Sequence, residues 1–571
     1  MVEPPWVRVP VGPHAPTWRT VAAQRQVLAV VHNVTALTRL LDVLAVFEAD
    51  PRVQVVFTWT RSSPFIDGVP AAIAAVGGVF VPWEQAVQLP FDLAISASQG
   101  GDLHELLAPL VIVGHGTGYN KYSPRKAKSE KRKAKSDSRR AGATAGPGEV
   151  RSTGDKNSIG PSSGGETSTG LDAERWPRAS FGLGAEQLLR DGEPIAEAFV
   201  LTHDEQLARL ARSCPPAVEN AVVAGDPCFD RLLASRPWRA AYRAALGVGD
   251  GQRLVVISST WGVNSLFGAR PELFSRIVAE LPVDSHRVVA VLHPNIWHGH
   301  GAWQVRSWLA EAMRSGLMVV PPMDGWRAAL VAADCVLGDH GSTTFYGAAL
   351  GIPVLLGQFP EDAVDPSSPV GQLGAVAPAL ADDIPAAAQV DAAIRRPVDF
   401  GAVTELTTSH PGKALLRLRS VCYDILDIDE PAREPAVLAV PPPAPVEPYP
   451  TDGALVVQAV VEGDTVHVTR LPAAVTLGTK WEPADSHLVA FESSMDTHWV
   501  NLADVVIGSG RHPGARVVAE IDGTACVADV RDAGTVRLTG PDPTVLASAA
   551  YAWHLAGRPL SELAAARVTV S

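Results

Sequence analysis

The chain has 571 residues, of which 46% are hydrophobic and 19% charged, and a formal net charge of −13. That length is too great for one compact core and predicts three domains, while the apolar content excludes a mostly disordered chain. The acidic balance argues against nucleic acid as the general partner, and five scattered cysteines without CxxC spacing argue against a disulfide framework or a zinc site.

The first twenty residues are proline-rich and lack the basic start and apolar run of a secretory signal, so residues 1–20 read as a tail. No run of eighteen apolar residues follows, so a membrane span is not expected. The expected location is the cytoplasm, with a peripheral place at the inner face of the cell membrane also compatible.

Residues 21–240 read as a first lobe. VLAVVH (27–32), VQVVFTW (53–59), GVFVPW (78–83), FDLAISAS (91–98) and PLVIVGHG (109–116) predict five strands with helical patterns between them. Near-continuous apolar runs alternating with helices indicate a parallel sheet covered on both faces, with ligands at the carboxyl ends of its strands. AFVLTHD (198–204) and AVVAGDPCFDRLLA (221–234) continue the series.

The pattern breaks at about 121–180. Lys121 to Arg140 holds ten Lys or Arg against two acids, and Ser, Gly and Thr dominate beyond it. Such a segment buries too little surface to offset its ordering entropy, and a disordered insertion is expected. It is either a tolerated loop or a basic tether for an anionic polymer, a membrane surface or nucleic acid.

Residues 241–430 repeat the first pattern. RLVVISST (253–260), HRVVAVLHPN (286–295), GLMVVPP (316–322), DCVLGD (334–339) and IPVLLG (352–357) predict a second parallel sheet. Eight prolines within 431–450 read as a semi-rigid linker. Short turn-bounded strands over 451–571, with a helix at Thr544–Leu555, predict a small β-rich domain. The fold class is therefore α/β: two doubly wound, Rossmann-like lobes followed by a small β-rich C-terminal domain.

Chemistry concentrates at strand ends. In DCVLGDHGSTTFYGAALGIPVLL (334–356) a buried strand ends at Asp339, His340 and Gly341 follow, and a helix starts near Ser342 or Thr343. Gly341 permits close backbone approach, and the free N–H groups of the helix start, with the Ser342, Thr343 and Thr344 hydroxyls, suit a phosphate. The structural alternative is that Ser342 or Thr343 only caps the helix. His293 ends a neighbouring strand and can donate to a pyrophosphate, while Ser259 and Thr260 add donors from another. In the first lobe, GHGTGYNKY (114–122) sets His115 between Gly114 and Gly116, where an imidazole can take a proton from an acceptor hydroxyl or, as the structural alternative, bond only nearby backbone in a turn. His32 and Asn33 close the first strand and are candidates for the same cleft. The group His293, His298 and His300 does not share one helix face, so no metal site is assigned.

The order GHG, GDPCFDRL, ISSTWG, LHPN and GDHGSTTFYGAALGIPVLL resembles two-lobed glycosyltransferases of the GT-B type. The resemblance is strongest to the CDP-glycerol glycerophosphotransferase family of teichoic-acid synthesis and spans about residues 27–425 apart from the insertion. His115-Gly116, Gly225 to Asp230, Ser259-Thr260-Trp261, His293-Pro294 and Asp339 to Ser342 stand where that family has its motifs. The family turn Asp-Tyr-Ser-Ser is replaced here by Asp339-His340-Gly341-Ser342, and a carboxylate expected a few residues later by Phe345-Tyr346-Gly347. UDP-N-acetylglucosamine 2-epimerases are similar to the same pattern.

The resemblance implies a catalytic base at His115, a donor pyrophosphate held by His293 and Ser342–Thr344, and no cofactor beyond the nucleotide-diphosphate donor. The expected function is transfer of a glycosyl or glycerophosphoryl group from that donor to a hydroxyl acceptor, polymeric or lipid-linked, in cell-envelope or polymer synthesis. The alternatives are an inactive binding or scaffold protein of this fold and a UDP-sugar 2-epimerase-like enzyme, which needs cleft carboxylates such as Asp226, Asp230 or Asp339.

Overall fold

A computed structural model describes residues 6–12, 14–65, 67–114, 116–122, 179–323, 325–444 and 453–570. His115 and most of the basic insertion lie outside the described residues.

The first sheet is six-stranded and parallel throughout. Its strands are β1 (Arg25–Val31), β2 (Val53–Trp59), β3 (Leu93–Ser96) and β4 (Leu110–Val113), then, beyond a short ribbon of β5 (Leu189–Arg190) and β6 (Glu193–Pro194), β7 (Ala198–Leu201) and β8 (Ala221–Val223). The spatial order is β2-β1-β3-β4-β7-β8, so chain direction across the sheet reverses between β1 and β3. Both faces of β3, β4 and β7 are buried, as their unbroken apolar runs require. The strand predicted at 78–83 is reduced to a single bridge, Phe57 with Phe80. Pro82, which has no N–H to extend a ladder, follows at once and caps the next helix.

The second sheet has β9 (Arg253–Ser259), β10 (His286–Leu292), β11 (Met318–Val319), β12 (Cys335–Gly338) and β13 (Val354–Leu356), all parallel, in the order β11-β10-β9-β12-β13. Its reversal falls between β9 and β12. A doubly wound sheet leaves a crevice at that point, because helices on either side leave in opposite directions.

The lobes exchange helices. Pro227–Ser235 and Arg239–Ala245 follow β8 but bury Phe229, Leu232 and Tyr242 in the second lobe's core. Ala414–Leu426 returns to the first lobe, where Leu415, Leu418 and Tyr423 join its core.

The C-terminal region forms an eight-stranded mixed sheet of β14 (Leu455–Glu462), β15 (Thr465–Pro472), β16 (Ser486–Phe491), β17 (Val505–Ile507), β18 (Val517–Asp522), β19 (Ala525–Val530), β20 (Gly534–Thr539) and β21 (Arg567–Val570). The helix Pro543–Leu555, with Asp542 accepting from Thr544 N as its cap, covers one face and buries Trp553. Among the described residues no helix is long and apolar enough to cross a membrane.

Candidate functional site

The second lobe's crevice is organised by Asp339. Its carboxylate accepts from three backbone N–H groups: Thr260 (2.9 Å) after β9, Leu266 (2.8 Å), and Gly341 (2.9 Å) after β12. Burial pushes this carboxyl up, while those donors and the Lys121 ammonium pull it down. One side chain thus fixes both strand ends flanking the switch point. It is 1% exposed and does not line the cavity.

The helix that follows is Ser342–Ala349, with Gly341 at its N-cap and no side-chain cap bond. The simple capping role open to Ser342 and Thr343 is therefore unfilled; the N–H of Gly341 is taken by Asp339, which leaves those of Ser342 and Thr343 as the unclaimed donors of a helix start that lines the cleft. Ser342 Oγ instead accepts from Thr117 N of the first lobe (3.2 Å). Thr344 is fully buried behind the turn, where its hydroxyl accepts from Asp339 N (3.2 Å), so it is a turn residue rather than a cleft donor. Thr343 and Gly341 line the cavity.

His293 ends β10 and caps the helix Pro294–His300, its Nδ1 accepting from Asn295 N (3.1 Å). That bond puts the neutral ring's proton on Nε2. The ring lies 6.5 Å from that of Trp261, and both line the cavity. Ser259 is committed internally, donating to Thr260 O (2.8 Å) and accepting from Phe267 N (2.9 Å). His298 packs on Gly68 of the first lobe and His300 on Trp308, so these histidines diverge from His293.

On the first-lobe side, Gly114 follows β4. Arg39 supports it from below, its Nε donating to Gly114 O (3.1 Å). Gly116, at φ +79°, passes directly over Ser342 and lines the cavity. His115 lies between these residues in sequence but outside the described residues. His32 hydrogen-bonds Gly100 O (2.5 Å) and Asn33 Oδ1 caps the helix Val34–Leu44; neither lines the cavity.

The resulting cavity, about 470 Å3, lies between the lobes at the carboxyl ends of both sheets. Its charged lining is Arg39, Lys121 and Arg327 against a single carboxylate among the described residues, Asp42. Asp42 pairs with Arg327 and, at 2.7 Å, with Arg231, on the helices Trp326–Ala332 and Pro227–Ser235 that pack in the second lobe. Arg39 pairs with Asp226 (2.7 Å), whose other oxygen accepts from Tyr346 Oη (2.6 Å). Tyr346 stands in the stretch from which a carboxylate is missing in sequence, and Asp226 reaches its hydroxyl from the Gly225-Asp226-Pro227 turn. Asp230 accepts from Gly412 N (2.6 Å) and Ala414 N (3.0 Å). None of Asp226, Asp230 and Asp339 is in the lining.

Arg39, Asp42 and Lys121 are absent from the sequence-based site. The first two were visible as charged residues on the otherwise apolar, buried face of the helix Val34–Leu44. Lys121 was concealed as the first member of the basic run. Its Nζ turns into the cleft and donates to Thr260 Oγ1 (3.3 Å), which withdraws it from the membrane or polymer contact assigned to Lys121–Arg140. The remainder of that contact, 123–140, lies outside the described residues.

No family model and no curated protein matches the chain. Among solved structures it is similar to the wall teichoic acid polymerase TagF in a variant soaked with CDPG, at 11% identity over 71% of this chain and 90% of that one, TM-score 0.40. It is also similar to UDP-GlcNAc 2-epimerase from Neisseria meningitidis bound to UDP-GlcNAc (12%, 70% and 99%, TM-score 0.39). A glycosyltransferase from Rickettsia africae ESF-5 aligns at 10% identity over 72% of this chain and all of that one, TM-score 0.37.

Proposed function

We propose that the protein is a transferase that moves a glycosyl or glycerophosphoryl group from a nucleotide-diphosphate donor to a hydroxyl acceptor. The observation that carries this reading is the convergence, at the second sheet's switch point, of an uncapped helix start (Ser342–Thr343), the His293 ring, Thr260 and the Lys121 ammonium on one cavity whose other charged lining among the described residues is Arg39, Arg327 and Asp42. Helix N–H groups and cations suit a diphosphate, and their fixed positions stabilise charge as it develops on the leaving group. Val320, Pro321, Pro322 and Trp326 give the cavity an apolar wall suited to a nucleobase.

His115, flanked by glycines that border the acceptor side, takes the proton from the attacking hydroxyl. The two lobes together exclude water from the transfer. The transferase reading is favoured over epimerisation because Asp226, Asp230 and Asp339 are spent on Arg39, Tyr346 and backbone N–H groups.

The test is calorimetric titration of CDP-glycerol, CDP, UDP and UDP-N-acetylglucosamine into the protein and its Ser342→Ala and His293→Ala variants. Binding of one nucleotide, weakened in both variants, is the expected result. Binding of none of them by the unaltered protein overturns the reading in favour of a scaffold. Turnover of a donor identified in this way should vanish in His115→Ala while donor binding persists.

A further inference from the structure

The first lobe reaches into the second lobe's crevice through one short segment. Asp365 N donates to Asn120 O (2.8 Å) and Tyr122 N donates to Ala363 O (3.1 Å), so residues 120–122 run along a loop of the opposite lobe. Phe181 N donates to Lys121 O (2.7 Å) from the other side. The backbone of Lys121 is thus held on both flanks, and its side chain crosses the cleft to Thr260.

Among the described residues no carboxylate comes within ion-pair distance of the Lys121 ammonium. Asp339, the carboxylate that acts on it through space, is already occupied by three backbone N–H groups. Lys121 is half-buried and lines the cavity, where desolvating its ammonium is costly unless an anion accompanies it. A second polar group there has an unmet hydrogen-bonding atom. His340 is 5% exposed, lines the same cavity and has no hydrogen-bond partner at Nδ1. Burial pushes this imidazole down to about 3, so it is neutral and able to donate one hydrogen bond without adding charge.

We propose that Lys121 is the first lobe's ligand for the donor diphosphate, completing with His340 a site whose other half is the Gly341–Thr343 helix start. The assignment rests on the transferase reading and extends it: the anion is gripped from both lobes, so its binding is coupled to their approach. The competing account is that Lys121 serves only to brace Thr260 and, behind it, Asp339.

Inorganic pyrophosphate separates the two, because it carries the diphosphate without the nucleotide. Titration of pyrophosphate, of the nucleoside diphosphates and of the matching nucleosides is made on the unaltered protein, Lys121→Met and Lys121→Arg, with a melting curve for each. The expected result is a loss of about 10- to 100-fold for pyrophosphate and nucleoside diphosphate in Lys121→Met, little change for nucleoside, and retention in Lys121→Arg. Unchanged pyrophosphate affinity in Lys121→Met, with or without a lower melting temperature, overturns the assignment and leaves the transferase reading intact. Pyrophosphate binding that depends on Lys121, with no nucleotide bound, keeps Lys121 as a diphosphate ligand but removes the nucleotide donor and with it the transferase reading. Binding of neither removes both.

Discussion

A Cβ atom placed on Gly116 would lie 2.3 Å from Ser342 Oγ. The two residues belong to opposite lobes, and the absent methyl is what lets the turn after β4 settle on the helix start after β12. The same Oγ accepts from Thr117 N (3.2 Å), so the hydroxyl proposed to face a phosphate also ties the lobes. Closure and ligand binding therefore share an atom.

Gly116→Ala should lower stability by about 1–3 kcal/mol, since alanine is strained at φ +79° and its methyl displaces Ser342. Nucleotide affinity should fall with it. Adding Ser342→Gly restores the space but not the backbone preference, so thermal unfolding of the double variant should recover only part of the loss. Full recovery would show that the clash alone matters.

Asp226 joins Arg39 of the first lobe to Tyr346 of the second in a fully buried cluster. Asp226→Ala leaves the guanidinium buried with no counter-charge, and a loss of about 3–5 kcal/mol is expected. Tyr346→Phe removes one hydrogen bond to a charged acceptor and should cost about 1–3 kcal/mol. Denaturant unfolding checks both. A smaller effect for Asp226→Ala than for Tyr346→Phe would mean that Arg39 finds another partner.

The two parallel sheets were legible because fully buried strands write themselves as unbroken apolar runs, as in LAIS of β3 and AFVL of β7. His293, Gly341 and Ser342 were legible because they sit where such runs stop. What the sequence did not disclose was long-range. Asp226 lies 120 positions from Tyr346, and nothing local links the two. Thr344 looked like a phosphate donor because hydroxyls cluster after the strand, but a helix turns successive residues by about 100°, and this one faces inward. Lys121 was assigned to a solvated run by its neighbours' charge, whereas its backbone pairing with the second lobe decides its direction.

Three buried histidines set an acid limit on stability. Burial holds His340 down to about 3 and His286 and His487 to about 4, against an ordinary value of 6.5. Below pH 6.5 the unfolded chain takes up protons that the folded chain refuses, so stability falls as pH falls. The slope approaches about 1.4 kcal/mol per pH unit for each histidine. Asp50, lowered to about 2 by Arg52, adds to the loss only near and below pH 4. Denaturant titrations from pH 7.5 to 5 should therefore show declining stability, and His487→Gln, remote from the cleft, should flatten the decline. An unchanged slope in that variant would remove His487 from the account.

Arg470 joins the β-rich region to the second lobe. Its guanidinium is 11% exposed and pairs with Asp284 across the junction and with Asp542 (2.6 Å) at the cap of the helix Pro543–Leu555, while its carbonyl accepts from Val283 N (3.0 Å). Beside it, Val475 enters the second lobe's core and Thr476 Oγ1 donates to Ala279 O (3.2 Å). Arg470→Met leaves Asp284 and Asp542 facing each other without their shared cation, and a cost of about 2–5 kcal/mol is expected at this junction. Hydrogen exchange should quicken over Ala473–Thr476, whereas nucleotide titration should be unaltered, because none of these residues lines the cleft. Faster exchange confined to the helix Ser342–Ala349 would instead mean that the junction acts on the site at a distance.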